Sequence, residues 1–151
     1  MTVVVTGSSG HLGEALVRAL TAADRRVVGV DLQPGPYTHH VGTITERGFV
    51  TEIVRGARAV VHAATLHKPH VVTHDKRAFV DTNVTGTLNL LEEAILAGVD
   101  AFVFTSTTSA FGAALSPPPG APAAWIDETV AGVPRNIYGV TKTVAEDLCQ
   151  L

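Results

Sequence analysis

Apolar positions follow two rhythms along this chain. Continuous apolar and β-branched runs occur at 2–6 (TVVVT), Arg26–Asp31 (RVVGVD), Ala57–Ala64 and Ala101–Thr105 (AFVFT), with a weaker run at 39–44. Such runs predict strands buried on both faces of a parallel sheet. Between them the spacing turns helical. Leu12, Ala15, Leu16, Ala19 and Leu20 predict one helix, 45–56 a short second one, and 75–97 the longest. Phe79, Val80, Val84, Leu88, Leu91, Ala94 and Ile95 form the apolar stripe expected of that long helix, and Gly98 is placed to end it. A last helix is predicted from Asn136 to the chain end. The prolines and glycine of 32–38, and Pro117, Pro118, Pro119, Pro122 and Pro134 within 113–135, predict loops. Strands alternating with helices imply right-handed crossovers and a doubly wound parallel α/β sheet.

Composition narrows the function classes. A length of 151 residues fits one domain. Eleven Lys and Arg against fourteen Asp and Glu give a formal charge of -3, the wrong sign for sequence-independent nucleic-acid binding. Cys149 is the only cysteine, which excludes a disulfide framework and a cysteine-based zinc cluster. No apolar run reaches the ~20 residues of a membrane span, and no signal-peptide pattern opens the chain. These features predict a reduced, cytoplasmic protein.

Thr6–Gly13 reads TGSSGHLG between a predicted strand and a predicted helix. In that context Gly7 serves the tight turn, Gly10 a close backbone approach to pyrophosphate, and Gly13 close helix–strand packing. The N–H groups at the helix start, over Ser9, His11 and Leu12, face phosphate oxygens. A bare βα turn is the alternative. The P-loop Lys-Ser/Thr pair is missing, which disfavours a nucleoside triphosphate. Asp31 ends the second strand, where a carboxylate accepts the adenosine ribose hydroxyls and repels a 2′-phosphate. No arginine follows in Leu32, Gln33 or Pro34. The expected cofactor is therefore NAD rather than NADP. Tyr138 and Lys142, four apart, share a helical face about 6 Å apart along the axis. A lysine cation beside a phenol favours the phenolate, which suits the tyrosine to proton transfer. Thr105, Ser106, Thr107, Thr108 and Ser109 cluster hydroxyls at the carboxyl edge of the sheet, where ligands bind in this class.

Read together, TGSSGHLG, Asp31, HAA at 62–64, NVTGT at 83–87, FTSTTSAFG at 104–112 and YGVTK at 138–142 resemble, in order, the extended short-chain dehydrogenase/reductases of the NAD-dependent epimerase/dehydratase group. The resemblance covers essentially the whole chain. It implies a Rossmann sheet in the order 3-2-1-4-5 spanning 1–151, and hydride transfer to or from NAD. It implies that Gly7, Gly10 and Gly13 meet pyrophosphate and that Asp31, followed by Leu32, meets ribose. It further implies that Ala63, Ala64, Thr65 and Thr105 line the cofactor, and that Asn83 supports the active site. It assigns Thr107 as the catalytic hydroxyl, Tyr138 as the acid/base, and Lys142 as the ribose-binding, tyrosine-tuning lysine. The implied substrate is a small molecule, with nucleotide sugars the commonest in the group.

Two departures stand out. Val41, Gly42, Thr43 and Ile44 replace the stretch in which the family carries an adenine-contacting Asp. Family members are also roughly twice as long, so the last strands and the substrate domain are expected to be absent. This leaves three expectations open: a catalytic module, a non-catalytic dinucleotide-binding fragment or sensor, and one half of a complex with a separate C-terminal part. A homo-oligomer through the bare fifth strand or the helices is also expected. His62, His67, His70 and His74 lie close together, and the last three could share a helical face, but Pro69 interrupts that pattern and no carboxylate or cysteine ligand is spaced with them. No metal site is expected there, only a polar loop beside the cofactor, with His67 and Lys68 near the nicotinamide or substrate.

Overall fold

In a computed structural model that describes residues 1–151, five parallel strands form one sheet in the order β3-β2-β1-β4-β5. They are β1 (Thr2–Thr6), β2 (Arg26–Asp31), β3 (His40–Val41), β4 (Ala59–His62) and β5 (Ala101–Phe104). The helices are α1 (His11–Ala22), α2 (Arg47–Val54), α3 (Lys76–Val80), α4 (Gly86–Leu96) and α5 (Ile137–Leu148). Strand alternation splits the core. Val4, Val30 and Val60 join Val50, Ile53, Val54, Leu90 and Ala94 under α2 and α4. Val3, Val5 and Ala59 point the other way, onto Val17 of α1. Each fully buried valine contributes about 1.5–3 kcal/mol, so β1 is the sheet's anchor. No helix is long and apolar enough to cross a membrane.

The third strand is only two residues long, paired as Val30 with His40 and Asp31 with Val41. Gly42 then leaves the sheet, and a Cβ there would stand 2.5 Å from the Phe49 ring. Phe49 thus fills the place beside Gly42, so a side chain at this departure from the family pattern would require the Phe49 ring to shift.

The long helix is not regular. α3 and α4 are joined by a π-helical turn at Asp81–Thr85. The extra residue per turn rotates the buried face. Phe79, Asn83, Gly86, Thr87, Leu90 and Ala94 point inward, while Val80, Leu88 and Ile95 are exposed. The predicted apolar stripe is therefore corrected: its period assumed uniform α-helix, and four polar residues, Asn83, Thr87, Asn89 and Glu93, are buried along it. Gly98 ends α4 at φ 69°, as its position predicts.

Candidate functional site

The glycine loop is built by backbone. Gly7 and Ser8 both donate to the Val30 carbonyl, at 2.8 and 3.1 Å, turning the chain sharply out of β1. Gly7 adopts φ 78°, and a Cβ there would lie 2.8 Å from the Ala64 nitrogen. Helix α1 begins at His11 with no side-chain cap. The N–H groups of His11, Leu12 and Gly13 bond to no acceptor in the chain. Three unpaired donors at the start of a twelve-residue helix, with Gly10 exposed in front of them, make a cradle for phosphate oxygens.

Asp31 is tied into this loop. Its Oδ2 accepts the Ser9 N–H at 3.0 Å and its Oδ1 accepts the Gln33 N–H at 2.9 Å. Each oxygen keeps a lone pair for a ribose hydroxyl. Ser9 Oγ donates to the Gln33 carbonyl at 2.7 Å, which fixes the loop around the carboxylate.

One cavity of about 730 Å³ runs along the carboxyl ends of the strands. Gly7, Ser9, Gly10, His11, Leu12, Gly13, Asp31 and Leu32 line one end. Ala63, Ala64, Thr65, Thr105, Ser106 and Tyr138 line the other. The two ends of the motif set thus share one space. Gln33, Gly42, Thr82, His70 and His74 also line it without having been singled out as binding residues. They lie in loops and irregular turns, Thr82 in the π-helical one and His70 in a 3-10 turn, where a regular helical period carries no signal.

Three of the residues assigned to catalysis do not line this cavity. Asn83 is buried in the π-helical turn. Its Oδ1 accepts the Leu66 N–H at 2.8 Å and the Thr65 hydroxyl at 3.0 Å, and its Nδ2 donates to the Leu66 carbonyl and to Thr141 Oγ1. Asn83 therefore holds the β4 exit loop against α5. Thr107 caps a short turn, its Oγ1 accepting the Ser109 N–H at 3.1 Å. Lys142 is 2% exposed; its amine donates to the Thr105 carbonyl and lies 3.8 Å from the centre of the Phe104 ring. Burial pushes the Lys142 amine down to about 8. Asn136 caps α5 by accepting the Gly139 N–H at 3.0 Å, which sets Tyr138 in the first turn at the cavity wall.

A buried polar chain links the two ends. His62 is fully enclosed. Its Nδ1 meets Thr6 Oγ1 at 2.7 Å and its Nε2 meets Thr87 Oγ1 at 2.9 Å. Thr87 already donates its hydroxyl proton to the Asn83 carbonyl at 2.7 Å, so it accepts from His62. His62 therefore carries its proton on Nε2 and receives the Thr6 hydroxyl on Nδ1. Thr6 in turn accepts the Ala64 N–H at 3.1 Å. The chain runs from the Ala64 amide beside Gly7 to the Asn83 turn and on to α5. Burial, with the Lys142 charge adding, pushes His62 down to about 3.

The family model described as NAD dependent epimerase/dehydratase matches residues 3–151. The chain belongs to the NAD-dependent epimerase/dehydratase family. Among relatives of this family, a UDP-glucose 4-epimerase of Rhizobium meliloti (strain 1021) is 33% identical over 153 residues, covering 95% of this chain and 44% of that protein. A 3-beta-hydroxysteroid dehydrogenase of Mycolicibacterium neoaurum is 34% identical over 157 residues, covering 95% and 41%. A short-chain dehydrogenase/reductase superfamily protein from Agrobacterium tumefaciens, solved with bound NAD, superposes with a TM-score of 0.86 at 32% identity, covering 99% of this chain and 44% of that one. The chain thus spans less than half the length of these relatives.

Proposed function

We propose that residues 1–151 form the NAD-binding unit of an enzyme that moves a hydride to or from a hydroxyl-bearing carbon of a nucleotide sugar. The observation that carries this reading is the shared cavity, with Asp31 and the phosphate cradle at one end and Tyr138 at the other. The R. meliloti relative supports the substrate class by its description as a UDP-glucose 4-epimerase. NAD supplies the hydride acceptor when bound. The chain's own residues do the rest. Gly7, Gly10 and Gly13 admit the pyrophosphate, Asp31 accepts the ribose hydroxyls, and the Tyr138 hydroxyl holds or takes the substrate proton.

The deciding experiment is a fluorescence titration with NAD and NADP. The wild type is expected to bind NAD and to discriminate against NADP. Asp31→Ala removes a charged acceptor and leaves the Ser9 and Gln33 N–H groups unpaired. Its NAD affinity is expected to fall roughly tenfold to a hundredfold, with the preference over NADP lost. Equal affinities in wild type and variant would remove Asp31 from the site.

One observation favours a second reading, a dinucleotide-binding part without chemistry of its own. The Lys142 amine faces the Thr105 carbonyl and Phe104 and does not line the cavity. Turnover separates the two. With UDP-glucose and NAD, Tyr138→Phe is expected to lower the rate of NADH formation by roughly a hundredfold. No NADH from a wild type that binds NAD would favour the second reading.

A further inference from the structure

His67, His70 and His74 line the same cavity as the cofactor residues, and the fold gathers them. Residues Lys68–Val72 form a 3-10 turn with Pro69 in its first positions, where a proline is tolerated, rather than the polar loop expected from the sequence. The turn brings the His67 and His70 ring centres to 4.4 Å and those of His70 and His74 to 5.1 Å, both edge-on. The Nδ1 atoms are held locally. His70 Nδ1 accepts the His67 backbone N–H at 3.0 Å, and His74 Nδ1 lies 2.9 Å from Thr73 Oγ1. Neutral His70 therefore carries its proton on Nε2, as a donor directed away from its own turn. All three rings line the cavity, beside Leu66, Thr82 and Tyr138.

The rest of the cavity wall makes this cluster informative. It contains no lysine and no arginine. Its other ionisable groups are Asp31, His11 and Tyr138. Asp31 and His11 belong to the cofactor end; Asp31 closes β2, two strands and about 10 Å from the end of β4. An anion brought to the Tyr138 end thus meets only imidazoles as cationic partners. On the side of α3, Asp75 caps the helix through the Ala78 N–H and Arg77 pairs with Asp81 at 2.8 Å, leaving Lys68 and Lys76 without a partner carboxylate. From α5, Tyr138 reaches the cavity while Lys142 is buried behind it. No acidic residue completes a metal-ligand set with the three rings. Burial, and then the charges of His67 and His74, hold His70 below the usual imidazole range. An anion among the rings offsets that mutual repulsion and supplies the acceptor that the His70 Nε2 donor lacks.

We propose that His67, His70 and His74 form the binding site for an anionic group, phosphoryl or carboxylate, carried by the compound that reacts with the dinucleotide. The proposal rests on the cofactor reading for what occupies the other end. Binding is tighter at acid pH, because the anion and the imidazolium protons stabilise each other.

The test follows the histidine ring resonances, assigned with single variants, during titration with inorganic phosphate and, separately, acetate. Sodium chloride at matched ionic strength serves as the reference. A saturable shift of all three rings is expected, at least about fivefold tighter at pH 6 than at pH 7.5. It is expected to weaken at least about fivefold in both His70→Asn and His74→Asn. A response to phosphate alone identifies a phosphoryl group, and a response to both anions a carboxylate-sized site. No saturable shift, or a shift matched by chloride, overturns the proposal. So does saturation by zinc with no effect of either anion. NAD titrated in parallel keeps the two readings apart. Phosphate binding at these rings without NAD binding overturns the cofactor reading only.

Discussion

Acid is expected to unfold this protein well before its carboxylates are fully protonated, and His62 is the reason. The unfolded chain protonates that imidazole near 6.5, while the folded chain resists until about pH 3. Between those values only the unfolded state carries the proton. Stability is therefore complete above about 6.5 and falls as pH drops toward 3. The slope approaches about 1.4 kcal/mol per pH unit, and the total is roughly 5 kcal/mol. That is comparable with the whole stability of a small domain, about 5–15 kcal/mol. Urea unfolding at pH 7, 6, 5 and 4 should show this slope in the wild type. His62→Gln removes the titrating ring and should flatten it, although the variant starts less stable. Identical slopes in the two proteins would show that other groups carry the acid transition. Lys142 acts at the opposite end. Its folded value of about 8 lies below the ordinary 10.5, so stability rises as pH climbs between them.

The same buried chain shows where sequence reading stopped. The strands were legible, because β-branched runs act locally; their order came with the family resemblance. TGSSGHLG, Asp31 and Tyr138 were legible because a carboxyl-edge site needs those residue types at those junctions, and they do line one cavity. The inward face of residues 76–96 was not legible. Its period changes at the π-helical turn, and Asn83 and Thr87 are buried only because His62, Leu66 and Thr141 answer them from other elements. Thr6 and Thr141 look ordinary in sequence for the same reason. The clustering of His67, His70 and His74 depended on a 3-10 turn, whose three-residue repeat the proline hid. The ring that fills the space beside Gly42 comes from Phe49, seven residues away, which no motif specifies.

Gly13→Ala is expected to be among the most damaging single methyls in the chain. A Cβ at Gly13 would stand 1.9 Å from the Gly7 carbonyl oxygen and 2.5 Å from its carbon. Both are backbone, in a turn that two N–H bonds to the Val30 carbonyl hold in place. Neither atom can yield without pulling α1 off β1 or opening that turn. Overpacking of this kind costs about 3 kcal/mol or more, and the displaced helix start takes the phosphate cradle with it. Thermal unfolding is therefore expected to fall by several degrees, and NAD affinity by more than about a hundredfold. Two further glycines separate the causes. Gly48 is exposed near the start of α2 with nothing within 4 Å of its would-be Cβ. Gly48→Ala should be neutral or stabilising by up to about 1 kcal/mol. Gly10 faces the cavity, and its nearest neighbour would be the Gly7 oxygen at 3.2 Å. Gly10→Ala should thus keep the fold nearly intact while putting a methyl where the pyrophosphate approaches. A Gly10 variant that binds NAD as the wild type does would remove the glycine loop from the cofactor site, even if Gly13→Ala fails to fold.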